Sequence, residues 1–155
     1  MLLNVWREVC RHIAIDESVA RVMPLLVSQL PIDELLVRHI DVARSFLETV
    51  AERRLRGPTQ STGKTECSPH DLDRIIDFCH QGKLLRDSGA LLRKRLPGLL
   101  PSGLTGHFLV APLNGAEGIL GVLILVARPP SRFALEHETL TRELIDPFTD
   151  KLYED

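Results

Sequence analysis

The sequence predicts an α+β domain in which helices pack against a central antiparallel sheet. Apolar residues recur every three or four positions near both ends of the chain, which is the period of an amphipathic helix. Between the ends, two pairs of short apolar runs have the length and the turn boundaries of antiparallel strands. The chain has 155 residues, which suits one domain, so these elements are expected to share one fold.

Composition and charge exclude several classes of protein. Nineteen Lys and Arg residues against 21 Asp and Glu give a net charge of -2, which offers no basic surface for nucleic acid or an anionic membrane. Three cysteines, an odd number, argue against a disulfide-stapled secreted module. The N-terminus lacks the pattern of a signal peptide, and the longest apolar run, 119–127, has the length of a strand. We therefore expect a cytoplasmic domain without direct nucleic acid or membrane contact.

The first 31 residues are expected to form two helices. A second helix follows the first, with Asp16 or Ser18 as its N-cap, and Pro31 closes it. Pro24 lies inside this helix, where it removes a backbone donor and is expected to kink or restart the helix. The apolar stripe that predicts the first helix consists of Leu2, Val5, Trp6, Val9, Cys10 and Ile13.

The sheet core is expected over residues 34–127. Runs at 35–40 and 45–50 predict an antiparallel pair, although the turn between them lacks an Asn-Gly signal. The stretch 56–70 is rich in Gly, Pro, Ser and Thr and predicts a loop. A short helix with apolar residues from Leu72 to Cys79 follows, and Gly82 is expected to end it.

The last third of the chain gives the clearest pattern. After a short strand at 84–85 and helical turns over 90–96, residues 107–111 and 119–126 predict two strands. The second of these is apolar at consecutive positions, which is typical of a central strand covered on both faces. An amphipathic helix over 134–155, kinked at Pro147, completes the domain.

The order of short motifs in this last third resembles the closing half of a GAF domain. Pro112-Leu113 precedes a turn, a Gly121-Val122-Leu123 strand follows, and Phe133 stands before a helix that opens at Glu136. The opening half is similar too, since a helix that carries Trp6 precedes the first strand. Leu144-Ile145-Asp146-Pro147-Phe148 resembles the closing helix of GAF sensor domains in bacterial enhancer-binding transcriptional regulators.

The resemblance implies a PAS-related sheet of five or six strands, with helices on both faces and a pocket between the sheet and the irregular middle segment. GAF pockets hold different small molecules in different members, and in some members no ligand is known, so the cofactor stays unknown. Arg86 in the covering segment suits an anionic group, and it also suits a solvated charge beside Asp87. His107 suits a ligand contact or a hydrogen-bonded strand histidine. The candidate pocket residues are Phe78, Cys79, Arg86, His107 and Phe108.

The remaining motifs do not predict a phosphate-binding, metal, bilin or catalytic site. Gly57 to Thr65 resembles a phosphate-binding loop, but five residues separate its glycines instead of four, and the charged run Arg53-Arg54-Leu55-Arg56 stands where a hydrophobic strand is needed. Cys67 with His70, and Cys79 with His80, offer metal ligands without the second pair of a zinc site, so we predict no metal. Cys79-His80 also resembles a bilin-attachment dipeptide, without the other bilin-contacting motifs. No catalytic constellation is found, so we predict that the domain is not an enzyme.

These observations lead to one functional hypothesis and one alternative. We expect residues 1–155 to form a single sensory domain of a bacterial transcriptional regulator. Its C-terminal helix would pass the signal to an output domain. The alternative is a ligand-free module of the same fold that dimerises or docks a partner. In both cases the apolar stripes of the terminal helices are expected to pair in a homodimer.

Overall fold

Six strands and several helical segments make up the fold. The computed structural model describes residues 20, 23–24, 26–55, 63–101, 103–115 and 118–143. Residues 20, 23–24 and 26–27 are helical, as are residues 135–143. The remaining elements are β1 (Ile32–Asp41), β2 (Phe46–Arg54), β3 (Lys64–Glu66), α1 (Pro69–Gln81), β4 (Leu85–Ser88), α2 (Gly89–Arg95), β5 (His107–Gly115) and β6 (Gly118–Ala127).

The strands form one antiparallel sheet in the order β3-β2-β1-β6-β5-β4. β6 lies between β1 and β5, and Ile124 pairs with Leu36 on one side and Val110 on the other. Its side chains from Val122 to Leu125 are fully buried, because both faces of the sheet are covered. The predicted α+β class and the central place of this strand are confirmed, and the sheet, expected to have five or six strands, has six.

The turn between β1 and β2 uses side-chain and left-handed backbone geometry in place of an Asn-Gly pair. The backbone N–H of Arg44 donates to Oδ1 of Asp41 at 3.0 Å, and Ser45 has φ of 58°. An Asp at the start of a turn accepts such a bond readily. The predicted antiparallel pair is therefore confirmed, and an Asp side chain and a left-handed Ser form the turn that lacks Asn-Gly.

A β-bulge in β2 sets which side chains face each side of the sheet. Arg38 pairs with Thr49 and Val37 pairs with Ala51, so Val50 is the extra residue. Without this insertion, strand alternation would place Thr49 and Glu52 on opposite faces. With it, Thr49 and Glu52 both lie on the face of β2 that carries Leu47.

The segment between β2 and α1 contains a short strand that the sequence did not predict. β3 lies at the sheet edge and pairs with β2 from Phe46–Glu66 to Glu48–Lys64, so the expected loop over 56–70 is shorter than predicted. Ser68 is the N-cap of α1, and its Oγ accepts the N–H of Asp71 at 3.1 Å. Pro69 follows as the first residue of the helix. It ends as predicted at Gly82, which has φ of 68°.

Two apolar clusters cover the two faces of the sheet. We call the side that carries the 23–30 segment and the start of the 135–143 helix the terminal face, and the side that carries α1 the α1 face. The terminal face buries Met23, Leu26, Leu30, Ile32, Leu35, Val37, Ala51, Leu109, Ala111, Leu113, Leu123, Leu125, Ala127 and Phe133. The α1 face buries Leu36, Ile40, Leu47, Leu72, Ile75, Phe78, Cys79, Leu92, Leu96, Leu99, Leu100, Leu104, Phe108, Val110, Val122, Ile124 and Val126.

Some predicted elements lie outside the described residues. These are the helix at 2–13, the candidate N-caps Asp16 and Ser18, residues 56–62 of the loop predicted over 56–70, and the part of the C-terminal helix beyond residue 143.

Gly98 holds the segment after α2 tightly against the start of α1, and its replacement is expected to destabilise the fold. Its φ is +91°, and an added Cβ would lie 2.5 Å from Sγ of Cys67. Gly98→Ala is expected to lower the free energy of unfolding by about 2–4 kcal/mol, since backbone strain and overpacking add. Gly103→Ala is the matched control, because Gly103 has the same φ with nothing within 4 Å. Equal losses for the two variants in urea denaturation would show that contact with Cys67 is unimportant.

Candidate functional site at the end of the sheet

The five candidate pocket residues lie in two separate regions. Phe78, Cys79 and Phe108 are buried in the apolar cluster of the α1 face. Arg86 on β4 and His107 on β5 lie on the terminal face, where both contact the segment that begins the C-terminal helix. The structure thus does not bring the five together into one pocket.

The α1 face is filled by side chains at the positions where the resemblance implied a pocket. Phe108 is fully buried, and its Cε1 would be 2.8 Å from a Cβ added at Gly89. Burial raises the pKa of the Cys79 thiol to about 12, so this thiol stays protonated at neutral pH. These contacts are those of a packed core.

On the terminal face, four side chains fasten the start of the C-terminal helix to β4 and β5. We call Arg86, His107, Phe133 and Glu138 the clasp. Nη1 of Arg86 donates to the carbonyl of Phe133 at 3.1 Å, and Nε of Arg86 forms an ion pair with Glu138. Nδ1 of His107 accepts the backbone N–H of Phe133 at 3.0 Å.

Aromatic contacts reinforce the clasp. The ring of Phe133 is buried, with its centroid 5.9 Å from that of His107 and 6.0 Å from that of His137. Nδ1 of His137 accepts the N–H of Ala134 at 2.8 Å, so two histidines satisfy consecutive backbone donors before the helix. A displacement of β5 at His107 would therefore move the first residues of the C-terminal helix.

An open cleft of about 790 Å³ lies beside the clasp. It is bounded by the junction of β4 and α2, the start of β5, and the segment that follows β6. Its volume lies in the range of small-molecule sites. The lining residues that bear on its chemistry are Asp87, Leu91, Arg93, His107, Pro129 and Arg132.

The surroundings of His107 favour the neutral form of its imidazole. Burial lowers its pKa, the Arg132 and Arg86 guanidiniums lower it further, and Asp87 opposes them. A neutral imidazole whose Nδ1 accepts a hydrogen bond carries its proton on Nε2. Nδ1 of His107 therefore accepts a hydrogen bond in the clasp, and its Nε2–H is a donor.

A second polar group lies on the α1 face of β1 and β2, centred on the fully buried Arg38. Its Nη1 donates to Oγ1 of Thr49 at 3.2 Å, and its Nη2 donates to the Leu47 carbonyl at 3.1 Å and to Oγ1 of Thr65 at 2.7 Å. Thr65 passes a further bond to the Gly98 carbonyl at 2.6 Å. Burial lowers the pKa of Arg38 to about 10, so the guanidinium remains charged at neutral pH.

Two glutamates extend this polar group along the strands. Glu34 and Glu52 are both buried, and Oε1 of Glu34 lies 3.3 Å from Nε of Arg54. Burial, followed by a hydrogen bond and the charge of Glu52, raises the pKa of Glu34 to about 8. The Arg54 side chain is 23% exposed, so water weakens its opposing effect.

Among the described residues, no three His, Cys, Asp or Glu side chains converge on a point that could hold a metal ion. Within the same residues, no helix is long and apolar enough to cross a membrane.

Comparison with solved structures identifies the fold. The GAF domain of an Acinetobacter phosphoenolpyruvate-protein phosphotransferase is 15% identical, with a TM-score of 0.69 over 99% of this chain and 91% of that one. The chain has the GAF fold. The phycocyanobilin-bound GAF domain of a cyanobacterial phytochrome is 11% identical, with a TM-score of 0.67 over 99% of this chain and 94% of that one.

An enzyme shares this GAF fold. Free methionine-R-sulfoxide reductase from Neisseria meningitidis, in complex with its substrate, is 13% identical, with a TM-score of 0.66 over 98% of this chain and 86% of that one. No family model matches the sequence, and no similar curated protein was found. At these identities the comparisons show the fold, and the function of this chain has to be argued from its own residues.

Sequence reasoning placed Arg86 and His107 in a site without finding their partners. Glu138 is 52 residues from Arg86 in sequence, and Phe133 is 26 residues from His107. Such contacts depend on the register of β4 with β5 and on the course of the segment after β6. Arg93 and Arg132, which line the cleft, carried no sequence signal beyond their charge.

Proposed function

We propose that this GAF-fold chain is a single cytoplasmic sensory domain that binds a small molecule in the cleft. The observation that carries the proposal is that His107 takes part in both the cleft and the clasp. His107 lines the cleft, and its Nδ1 accepts the N–H of Phe133 at the start of the C-terminal helix. A bound molecule that contacts His107 or Arg132 acts directly on the segment that leads into this helix.

Transmission follows from the clasp. Arg86 and His107 hold one short segment through a side-chain donor and a side-chain acceptor, and Glu138 anchors the first turn of the helix. Ligand binding shifts the population of closed and open clasps by its differential affinity for the two. The helix carries that change towards its C-terminal end.

The proposed context is a bacterial transcriptional regulator. Its support is the resemblance of residues 144–148 to the closing helix of sensor domains in enhancer-binding regulators. We propose that the terminal helices pair in a homodimer, so that both clasps act on one output. Light scattering that shows only monomer at high protein concentration would contradict this pairing.

We propose that the domain is not an enzyme, although the reductase shares its fold. Burial raises the pKa of both described thiols; Asp71 raises that of Cys67 further, and the smaller effect of the Arg38 guanidinium lowers it. Reactive cysteines have a lowered pKa and an electropositive, accessible setting. Neither Cys67 nor Cys79 meets that description.

One observation favours the alternative of a ligand-free interaction module. Among the described residues of the α1 face, Leu99, Leu100 and Leu104 are buried in the apolar cluster where the resemblance implied a pocket. If the cleft also stays empty in solution, the terminal helices alone would carry the function.

Native mass spectrometry after incubation with a small-molecule extract of bacterial cells tests the proposal. A sensory domain is expected to retain at least one compound that adds a defined mass to each subunit. Ala90→Trp, which fills the cleft from the exposed side of α2, is expected to abolish that added mass. Asp73→Trp, at an exposed position on α1, is the matched control and should retain it.

The two possible failures have different meanings. No added mass with the unchanged protein contradicts the sensory proposal and favours the interaction module. An added mass that survives Ala90→Trp shows that a ligand binds elsewhere, which contradicts the assignment of the cleft.

A further inference from the structure

We propose that the cleft binds an organic anion, a compound that carries a carboxylate or phosphate group on an apolar body. The inference rests on the proposed function, since it names the chemical class of the compound sensed. Its evidence is the charge, the donors and the apolar walls of the cleft.

The charged side chains of the cleft are unbalanced. Among the described lining residues, Arg93 and Arg132 are accompanied by one acid, Asp87, whose Oδ1 already accepts the N–H of Ser88 at 2.8 Å. Within the described part of the chain, neither arginine forms an ion pair. A cleft with unpaired guanidiniums favours anionic ligands, because field lines concentrate between its walls.

Arg93 is held in place before any ligand arrives. Its Nη2 donates to the Pro101 carbonyl at 2.9 Å, and its Nη1 lies 3.0 Å from the position of a Cβ at Gly89. The absence of a side chain at Gly89 leaves room for the guanidinium. A fixed planar guanidinium recognises carboxylate or phosphate with little further loss of entropy.

His107 adds a third donor. Because Nδ1 accepts the Phe133 N–H, the neutral imidazole carries its proton on Nε2 and can donate it to an anion while the clasp stays intact. Burial lowers the pKa of His107, and the Arg132 and Arg86 guanidiniums lower it further against the opposing charge of Asp87. An anion at Nε2 also strengthens Nδ1 as an acceptor, since linked hydrogen bonds polarise one another.

The remaining walls suit an apolar body. Leu91 is 47% exposed and lines the cleft together with Ala127, Pro129 and Pro130. Contacts with these side chains remove apolar area from water, and the guanidiniums orient the charged end. An inorganic ion alone would leave these surfaces uncovered.

The test uses defined probes and backbone amide spectra of the whole chain. Benzoate and phenyl phosphate, titrated at constant ionic strength, are expected to shift the amide signals of Ser88, Gly106, His107 and Arg132. Benzamide, the neutral match of benzoate, is expected to bind at least about tenfold more weakly. Comparison of the two anions shows whether the cleft prefers a carboxylate or a phosphate.

Two arginine variants distinguish binding of the anions in the cleft from general attraction to positive charge on the surface. Arg132 is exposed and forms no hydrogen bond or ion pair within the described residues, so Arg132→Gln should fold normally. It is expected to weaken binding of both anions by at least about tenfold. Arg74→Gln removes an exposed arginine from α1 and should leave both affinities unchanged.

Three results would overturn the anion assignment. They are equal affinity for benzamide and benzoate, affinities unaffected by Arg132→Gln, and absence of shifts with either anion. The sensory proposal would survive any of these if the cell extract supplies a compound that Ala90→Trp excludes. If no extract compound binds, the sensory proposal fails independently of the probes.

Discussion

Arg38→Ala is expected to lower the free energy of unfolding by about 3–5 kcal/mol. The substitution removes a fully buried side chain that donates to the Leu47 carbonyl and to the hydroxyls of Thr49 and Thr65. It leaves a cavity and withdraws three hydrogen bonds at once. Burying the charged guanidinium costs free energy because it is desolvated, and Arg38→Ala removes that cost. This gain opposes the loss of the hydrogen bonds, but the cavity remains unfilled.

Arg38→Met separates the cavity from the hydrogen bonds. Methionine fills much of the space and donates no hydrogen bond, so its loss of stability should be smaller than that of alanine. Arg74→Ala, at an exposed position on α1, should change stability by less than about 0.5 kcal/mol. Urea denaturation measures all three variants.

Hydrogen exchange gives a local measure of the same side chain. Through Thr65, Arg38 reaches the Gly98 carbonyl, so it joins β1, β2, β3 and the segment after α2. Both arginine variants should accelerate exchange at Thr65 and Cys67 more than in β6. Wild-type stability and unchanged exchange in Arg38→Met would show that apolar packing alone holds β3 in place.

The sequence predicted elements whose pattern is local and continuous. β6 was recognisable because a run of apolar residues on both faces is typical of a strand inside a covered sheet. α1 was recognisable from its apolar stripe and from Gly82, which can adopt the left-handed conformation that ends a helix. The resemblance to a GAF domain came from the short motifs Pro112-Leu113, Gly121-Val122-Leu123 and Phe133, in that order.

Features that depend on distant partners were not predictable. β3 has only three residues, in a segment whose composition is that of a loop, and pairing with β2 makes it a strand. Arg38 stands in a strand pattern like any half-exposed charge, yet it is fully buried and bonded to Thr49 and Thr65 on neighbouring strands. The clasp joins residues that are far apart in sequence, so neither Arg86 nor His107 revealed its partner.

The two faces of the sheet therefore have different roles. The α1 face holds buried polar groups whose partners lie within the fold. The terminal face holds the clasp, which is half-buried and adjoins the cleft. Regions that transmit a signal need an equilibrium that a ligand can shift, and partial burial of Arg86 and His107 permits one.

Glu34→Gln is expected to stabilise the protein at pH 8 and to have little effect at pH 5. The raised pKa of Glu34, about 8 against 4.5 for an unperturbed side chain, means that the folded protein holds a proton which the unfolded chain releases between these values. The unfolded chain therefore binds fewer protons in this window, so stability falls as pH rises from about 4.5 to 8. Below 4.5 both states are protonated and the penalty is absent.

Glutamine keeps the shape of the protonated acid and cannot ionise, so the variant should lose this part of the pH dependence. The free energy of unfolding of the variant relative to wild type should increase by about 2–4 kcal/mol between pH 5 and pH 8, measured by urea denaturation. Glu48→Gln, an exposed position on the same strand as Glu52, is the matched control and should follow wild type. Parallel curves for Glu34→Gln and wild type would mean that Arg54 keeps Glu34 ionised in the folded state, and the carboxyl carbon-13 shift of Glu34 would then titrate near its ordinary pKa.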